Sequence, residues 1–421
     1  MGERVQTPAV VMNMYYTGLG IARSLGERGV SVIGLSAQPR LYGNFTRYAK
    51  VLRCPDSRHE PEVLLHFLLN LGYDLGQVGV IFPTRDDDVL FLDRYRDELA
   101  PYFVPVVPER SVVERCLDKW KTYECALQAD VPTPKCWVAS NMNQLLEIAE
   151  GLTWPCVMKP VAAYHWRKGA NWGLVGCRKA IAIQSRAQLA MEYTRIVQAD
   201  ERVLLQEIIA GPDDQLLVAA CYLDRRSTWV GGFSAQKILQ IPEGFGTGCI
   251  VRLVNRPELF EPTERLLKAM GFTGIAEVEY KWDSTLGQFR LIEINPRPWD
   301  QHRLGQACGV DLLYLAYCEH AGLPIPTVQR KVVEKTWVAE DVLIPSALQS
   351  LWRRDRRLWS LLLRARGERI YGIWSARDPL PFLVYLTMAL LPALITTLTR
   401  RVWALIRKTR GHSLPTEESP V

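Results

Sequence analysis

Short apolar runs alternate with segments of helical periodicity over the first 110 residues. Between the first two runs, residues 21–29 carry apolar side chains at helical spacing and end at Gly29. Strands that alternate with helices are typical of a parallel sheet, so the sequence predicts one over residues 1 to about 110. The four apolar runs are residues 8–14, 30–36, 78–84 and 104–108.

Gly18 and Gly20 flank a single leucine soon after the first apolar run. A G-x-G pair that lacks the third glycine of a dinucleotide fingerprint is weak evidence for a nucleotide site. We therefore expect these glycines to form a tight turn after the first strand.

From residue 118 the pattern changes to a helix, which Pro132 and Pro134 stop, followed by strands that suggest antiparallel pairs. A charged loop separates the first two strands, and a four-residue turn at 284–287 predicts a hairpin. The predicted strands are residues 154–160, 202–209, 216–224, 228–239, 274–283 and 288–298.

The C-terminal region combines an uncharged stretch with basic residues. Residues 379–398 form an uncharged stretch that is long enough for a helix to cross a bilayer core. Five Lys or Arg residues follow between positions 400 and 410. Residues 346–369 place Leu and Trp opposite arginines, as in a helix at a membrane interface. Three arrangements stay open: packing against the folded body, attachment to a membrane surface, and full spanning.

The composition is that of a folded chain, with 48% hydrophobic residues among 421, enough for two or three domains. The net charge is +6, but residues 348–410 contribute +10 and the remainder −4, so we expect no nucleic-acid partner. Ten scattered cysteines without a CxxC pair indicate a reducing compartment. With no visible secretion signal, we expect a cytoplasmic protein at the inner face of the cytoplasmic membrane.

Carboxylates cluster in the hairpin predicted at 274–298. Alternate residues of a strand share a face, so Glu277 and Glu279 point together, as do Glu293 and Asn295 on the partner strand. Such oxygen atoms suit Mg²⁺, which takes its other ligands from water and nucleotide phosphates. Arg297 follows directly and suits an anionic substrate or a phosphoryl group.

Two lysines precede this hairpin. Lys159 ends an apolar strand, from which its long side chain can reach a phosphate, and Lys119 is a second candidate cation. Together with the hairpin, they fall in an order that resembles the ATP-grasp enzymes, and most closely the carboxylate-amine ligases that include D-aspartate ligase. The resemblance covers residues from about 8 to 326, and its blocks are 118–119, 130–134, 154–160, 205–211, 278–280 and 292–297.

The resemblance implies a role for each matching residue. Glu279, Glu293 and Asn295 would hold Mg²⁺ or Mn²⁺, with Glu277 a rival to Glu279, and Arg297 would steady the acyl phosphate. The residues that would bind ATP are Lys119 and Lys159 at the phosphates, Gln206, Glu207 and Ile209 at the adenine hinge, and Asp214 near the ribose.

The chain departs from the family in the flap, residues 161–173, which holds few glycines. Backbone amides are then poorly placed to approach phosphate, so a side chain, Lys168 or Lys179, would take that role. Lys237 resembles a lysine near the transferred phosphate in the carboxylate-amine ligases. Residues 299–302 follow the metal strand and are expected to face the substrate, with an ordinary buried role equally open for His302.

The resulting hypothesis is an ATP-dependent carboxylate-amine ligase with mixed α/β and α+β lobes. Its partners would be a small carboxylate, an amine or a lipid-linked acceptor, and a membrane surface; a homodimer stays open. The alternatives are a membrane-attached ATP-binding scaffold without turnover and a carbamoyl-phosphate-synthase-like enzyme. The predicted units are an N-terminal parallel-sheet domain (1–115), a two-lobed ATP-grasp domain (116–330), an extension with a basic amphipathic helix (331–378), a membrane-associating segment (379–410) and a flexible tail (411–421).

Overall fold

A computed structural model describes residues 7–242, 244, 246–353 and 367–392. Its strands form three sheets, of five, four and seven strands. The first sheet belongs to the N-terminal part of the chain, and the other two form the lobes that follow it. This order of a parallel sheet followed by antiparallel sheets confirms the coarse mixed α/β architecture predicted from the apolar pattern.

The five-stranded sheet is parallel throughout, as predicted, and has the strand order β3-β2-β1-β4-β5. Its central strands are buried along their whole length, because helices cover both faces of a parallel sheet. The strands are β1 (Ala9–Met12), β2 (Val32–Ser36), β3 (Lys50–Arg53), β4 (Gly79–Phe82) and β5 (Phe103–Pro105), and the helices are α1 (Tyr16–Gly26), α2 (Pro61–Leu75), α3 (Asp86–Arg94), α4 (Arg96–Leu99) and α5 (Arg110–Leu117).

The turn predicted at Gly18 and Gly20 is wrong, because both glycines lie inside α1. A Cβ at Gly18 would come 1.8 Å from the carbonyl oxygen of Asn13, and one at Gly20 would come 2.7 Å from the ring of His302. The glycines therefore permit close packing around this buried helix.

The four-stranded sheet is antiparallel, with the order β6-β9-β7-β8. It contains the predicted pair of residues 154–160 and 202–209, and the flap between them forms two short helices. The strands are β6 (Cys136–Ala139), β7 (Cys156–Pro160), β8 (Ile181–Ile183) and β9 (Val203–Glu207), and the helices are α6 (Lys119–Gln128), α7 (Met142–Ile148), α8 (Ala163–Arg167), α9 (Asn171–Leu174) and α10 (Arg186–Ile196).

The seven-stranded sheet contains the hairpin predicted at 274–298 and the predicted strands 216–224 and 228–239, and it has the order β14-β13-β10-β11-β12-β15-β16. All its pairs are antiparallel except the last. The strands are β10 (Leu216–Leu223), β11 (Trp229–Ile241), β12 (Thr247–Val254), β13 (Gly274–Asp283), β14 (Gln288–Asn295), β15 (Lys335–Val338) and β16 (Glu368–Tyr371), and the helices are α11 (Phe260–Ala269), α12 (Arg303–Ala307), α13 (Leu312–His320), α14 (Glu340–Arg353) and α15 (Leu380–Tyr385).

The segment predicted as a C-terminal extension, residues 331–378, contributes β15 and β16 to this sheet. The sheet therefore continues across residue 330. Most of the predicted basic amphipathic helix, residues 354–366, lies outside the described residues, although α14 begins before it and runs to Arg353.

The described part of the apolar segment is α15 and a π-helical turn, Leu386–Leu390. One face packs into the core through Val384 and Tyr385. The opposite face is open, with Leu380, Leu383, Met388 and Leu391 each about half exposed. Within the ranges given above, no helix is long and apolar enough to cross a membrane.

A buried ion pair fastens this C-terminal region to α1. The Arg23 Nε donates to an Asp378 carboxylate oxygen at 2.9 Å, and both side chains are nearly inaccessible. Thr46 and the Arg47 backbone amide also donate to Asp378. The Arg23 guanidinium donates further to the Ile373 carbonyl, so one cation satisfies acceptors at both ends of the loop that follows β16.

We predict that Asp378→Ala lowers the free energy of unfolding by about 3–5 kcal/mol, because Arg23 would remain buried without its anion. Urea denaturation followed by tryptophan fluorescence measures this loss. Glu261→Ala is the control, because Glu261 forms an exposed ion pair with Arg265. This substitution should lower the free energy of unfolding by less than about 1 kcal/mol. Equal losses in the two variants would contradict the assigned role of the buried pair.

Candidate active site

A cleft of about 450 Å³ lies where the three sheets approach one another. Lys159 reaches it from the four-stranded sheet, Glu279 from the seven-stranded sheet, and Asp86 from the carboxyl end of β4 in the parallel sheet. The cleft therefore brings together charged side chains from distant parts of the sequence.

The predicted hairpin forms the acidic wall of the cleft. Glu277 pairs with Asn295 and Glu279 with Glu293 across β13 and β14, so all four side chains face the cleft, as predicted. The intervening Val278 is fully buried on the opposite face. Because alternate residues point to opposite faces, the apolar positions fix the orientation of the acidic ones.

The carboxylates of this wall differ in their environment. Burial, and then the neighbouring Glu279, raises the pKa of Glu277 to about 8, and the Glu277 carboxylate accepts a hydrogen bond from Asn295 Nδ2 at 3.0 Å. The pKa of Glu293 is instead held well below its usual range, chiefly by the charge of Lys119. The two carboxylates are thus shifted in opposite directions, and Glu293 is the one that its surroundings favour as an anion.

Three lysines face this wall. Lys119 Nζ lies 2.9 Å from Glu293, and Lys237 Nζ lies 2.5 Å from Glu279. Lys159 instead donates to the Tyr123 hydroxyl at 3.2 Å, and burial together with the nearby Lys119 lowers its pKa to about 7. The two ion pairs keep buried charges compensated in the absence of a ligand.

The predicted hinge borders one side of the cleft. Gln206 and Ile209 line it, and the Gln206 side-chain carbonyl accepts from the Tyr123 hydroxyl at 3.0 Å. The Glu207 side chain points elsewhere, where it pairs with Arg290. Asp214 is not among the lining residues, and its backbone carbonyl accepts from Gln236 Nε2 at 2.6 Å.

The flap contributes cations, but Lys168 is not one of them. Lys168 is exposed and lies outside the lining, whereas Arg167 and Lys179 are part of it. Lys179 Nζ, beyond the end of the flap, donates to Thr247 Oγ1 at 2.7 Å, which links the segment after the flap to the start of β12 in the seven-stranded sheet. Arg167 was not predicted, because a basic residue in a loop carries no spacing that distinguishes it from Lys168.

Arg297 joins the hairpin to the parallel sheet. Its Nε donates to Asp86 Oδ1 at 2.6 Å, and its Nη2 donates to Asn295 Oδ1 at 3.3 Å. Sequence reasoning missed Asp86 as a site residue. Its position directly after a parallel strand was the available indication, because the carboxyl ends of such strands form ligand sites.

Residues 299–301 line the cleft as expected, but His302 does not face it. The His302 ring is buried against α1, with Nε2 3.1 Å from the Thr17 carbonyl oxygen. Burial lowers its pKa to about 3, so the ring is neutral. Of the two roles open for His302, the structure supports the buried one.

The donor set suits a hard cation that is shared with a ligand. The described ranges contain no group of three or more His, Cys, Asp or Glu side chains that could hold a metal ion unaided. Glu279, Glu293 and Asn295 instead offer two carboxylates and an amide oxygen on adjacent strands. This set fits Mg²⁺, which usually binds one or two carboxylates and takes its remaining ligands from phosphates and water.

Comparison with known proteins gives relatives at low identity. No model of a protein family matches this chain. The D-aspartate ligase of Enterococcus faecium is 23% identical over 299 residues, which are 68% of this chain and 69% of that protein. The N-terminal section of the carbamoyl phosphate synthase large chain from Methanopyrus kandleri is 21% identical over 77% of this chain, which spans 56% of that protein.

Among solved structures, the fold is similar to that of biotin carboxylase from Campylobacter jejuni, solved as a β,γ-ATP complex. The TM-score is 0.62 at 17% identity, with 77% of this chain and 74% of that chain covered. This likeness supports the fold, and the ligase relative agrees with the motifs. Together they bear out the predicted resemblance to the ATP-grasp ligases, and the D-aspartate ligase relative agrees with the predicted enzyme class, an ATP-dependent ligase that forms a carbon–nitrogen bond.

Proposed function

We propose that this chain binds ATP and magnesium in the cleft, phosphorylates a carboxylate and joins it to an amine. One observation carries the proposal. The register of β13 and β14 brings Glu279 and Glu293 to the same wall, opposite three lysines. Positive groups for phosphate oxygens and negative groups for a divalent cation then lie within one cleft.

The nucleotide would lie between the hinge and the lysines. Lys119 and Lys159 are placed to neutralise phosphate oxygens, and the buried Lys159 would gain charge as an anion approached it. In the proposal the backbone at Glu207 and Ile209 meets adenine, and Gln206 orients Lys159 through Tyr123. For Asp214, the ribose role is supported only by the family resemblance.

The metal role falls to Glu279, Glu293 and Asn295. A bound Mg²⁺ supplies electrophilic stabilisation of the phosphate oxygens. The residues of this chain hold the carboxylates in register and keep Asn295 oriented through Arg297 and Glu277. Lys119 and Lys237 pair with two of these carboxylates, and both lysines would also be within the cleft to bind phosphate oxygens.

The chemical step needs no protein nucleophile. A carboxylate oxygen of the substrate attacks the γ-phosphorus, ADP departs, and the amine then attacks the acyl carbon and displaces inorganic phosphate. Arg297 and Lys237 would stabilise the negative charge of the phosphoryl group during the first step. Positioning and electrostatics supply most of the acceleration in such reactions.

We further propose that the C-terminal apolar face attaches the enzyme to a lipid surface. Leu380, Leu383, Met388 and Leu391 form an open apolar face, and five basic residues follow between positions 400 and 410. Apolar and basic residues together favour anionic membranes. Such attachment would bring the cleft close to an acceptor carried on a lipid.

We predict that Glu279→Gln combined with Glu293→Gln reduces ADP release at least about 100-fold, because the amides keep the shape but lose the charges that hold the metal. The assay measures the release of ADP and phosphate with pools of amino acids and amines as substrates, at a series of Mg²⁺ concentrations. The control is Gln288→Ala, at an exposed position of β14.

The proposal requires that the wild-type protein release ADP and phosphate with at least one of the substrate pools. ATP binding without turnover in every pool would instead favour a non-catalytic scaffold. Turnover that persists in the double variant would show that the carboxylates of this wall do not hold the metal.

We predict that Leu383→Glu with Met388→Glu abolishes co-sedimentation with vesicles that contain phosphatidylglycerol, and that deleting residues 393–421 weakens it. The matched control is Leu127→Glu, an exposed leucine on α6. Deletion from residue 348 is avoided because it would remove β16 and Asp378. Binding that survives both changes would contradict the membrane proposal.

A further inference from the structure

Asp86 lies where three parts of the chain meet. It is the first residue of α3, directly beyond β4, and its side chain is 9% exposed. Its Oδ1 accepts from Arg297 Nε at 2.6 Å, and its Oδ2 lies 3.9 Å from Arg167 Nη1. One carboxylate therefore connects the parallel sheet, the end of the acidic hairpin and the flap.

The hydrogen bonds of Arg297 leave part of its guanidinium free to bind a ligand. Of its five N–H groups, Nε–H is used by Asp86, one on Nη1 by the Pro298 carbonyl at 3.2 Å, and one on Nη2 by Asn295 at 3.3 Å. Within the described part of the chain, one N–H on each Nη nitrogen has no hydrogen-bond partner. Two such donors suit the oxygens of a phosphoryl or carboxylate group.

The charge of Asp86 is secured by its surroundings. Burial alone would raise its pKa, but Arg297 and Arg167 outweigh that effect, and the pKa lies below its usual value. The carboxylate therefore remains anionic at neutral pH. It anchors the Nε side of Arg297, which keeps the Nη side directed to a ligand.

We propose that Asp86 is a positioning residue: it fixes Arg297 so that the two remaining N–H groups hold the phosphoryl group during transfer. The inference rests on the proposed function for the identity of that anion. It adds Asp86, which lies outside the motif blocks, to the residues of the candidate active site. It also assigns the N-terminal sheet a direct part in the chemistry, because α3 carries the carboxylate.

A matched control exists on the same helix. Asp93, like Asp86, is shared by two arginines: its oxygens lie 3.2 Å from Arg96 and 3.4 Å from Arg110. Asp93 is not among the residues that line the cleft. Asp93→Asn therefore removes an equivalent local charge without touching Arg297.

The first test measures the binding of inorganic phosphate by calorimetry, with and without MgADP. We expect Asp86→Asn to weaken phosphate binding about tenfold or more, while MgADP affinity stays within about twofold. Asp93→Asn should leave both unchanged. Equal weakening in the two variants, unchanged phosphate affinity in Asp86→Asn, or a wild-type protein that binds no phosphate would overturn the proposal.

The second test separates positioning from folding. If Asp86 acts through Arg297, Asp86→Asn should weaken phosphate binding little further in an Arg297→Lys background, whereas additive losses would overturn the proposal. Asp86→Glu, which restores the charge, should recover part of the affinity and also covers the case in which Asp86→Asn folds poorly. These readouts need no turnover, so a wild-type enzyme that releases no ADP would count against the proposed ligase function alone.

Discussion

The site depends on the pairing of carboxylates on one hairpin with lysines from other parts of the chain. Glu279 with Lys237 and Glu293 with Lys119 form close ion pairs inside the cleft. A buried charge is costly unless it is compensated, so these pairs allow the protein to fold with its site charged. The proposed function adds a second use for the same four side chains, because the carboxylates would suit a metal ion and the lysines would suit phosphate oxygens.

That arrangement depends on register, and register depends on the apolar face of the sheet. Val278 and Ile294 are buried in the core on the face opposite the acidic residues. A slip of one residue would bring Glu279 into the core and Val278 into the cleft, so the hydrophobic effect strongly opposes it. The positions of the charged groups in the cleft are therefore fixed by packing on the other face of the sheet.

This logic explains which features could be predicted from the sequence. The hairpin, the position of Lys159 at a strand end and the parallel sheet all follow from local periodicity. Asp86, Arg167 and the addition of β15 and β16 to the sheet depend on contacts between distant segments, for which periodicity contains no information. Gly20 was misplaced for the same reason, since its close approach to His302 joins segments that are far apart in the chain, whereas the G-x-G pair itself resembles a turn in the sequence.

The glycine-poor flap changes how the cleft can hold an anion. Backbone amides bind phosphate without adding charge, whereas Arg167 and Lys179 bring two cations to the cleft. Extra cations would favour anions indiscriminately unless nearby acids balanced them, and Asp86, 3.9 Å from Arg167, supplies such a balance. Since Asp86 also contacts Arg297, the flap and the acidic hairpin share one counter-charge. Because the same carboxylate balances both arginines, a substitution at Arg167 would alter the electrostatics at Arg297 without touching it.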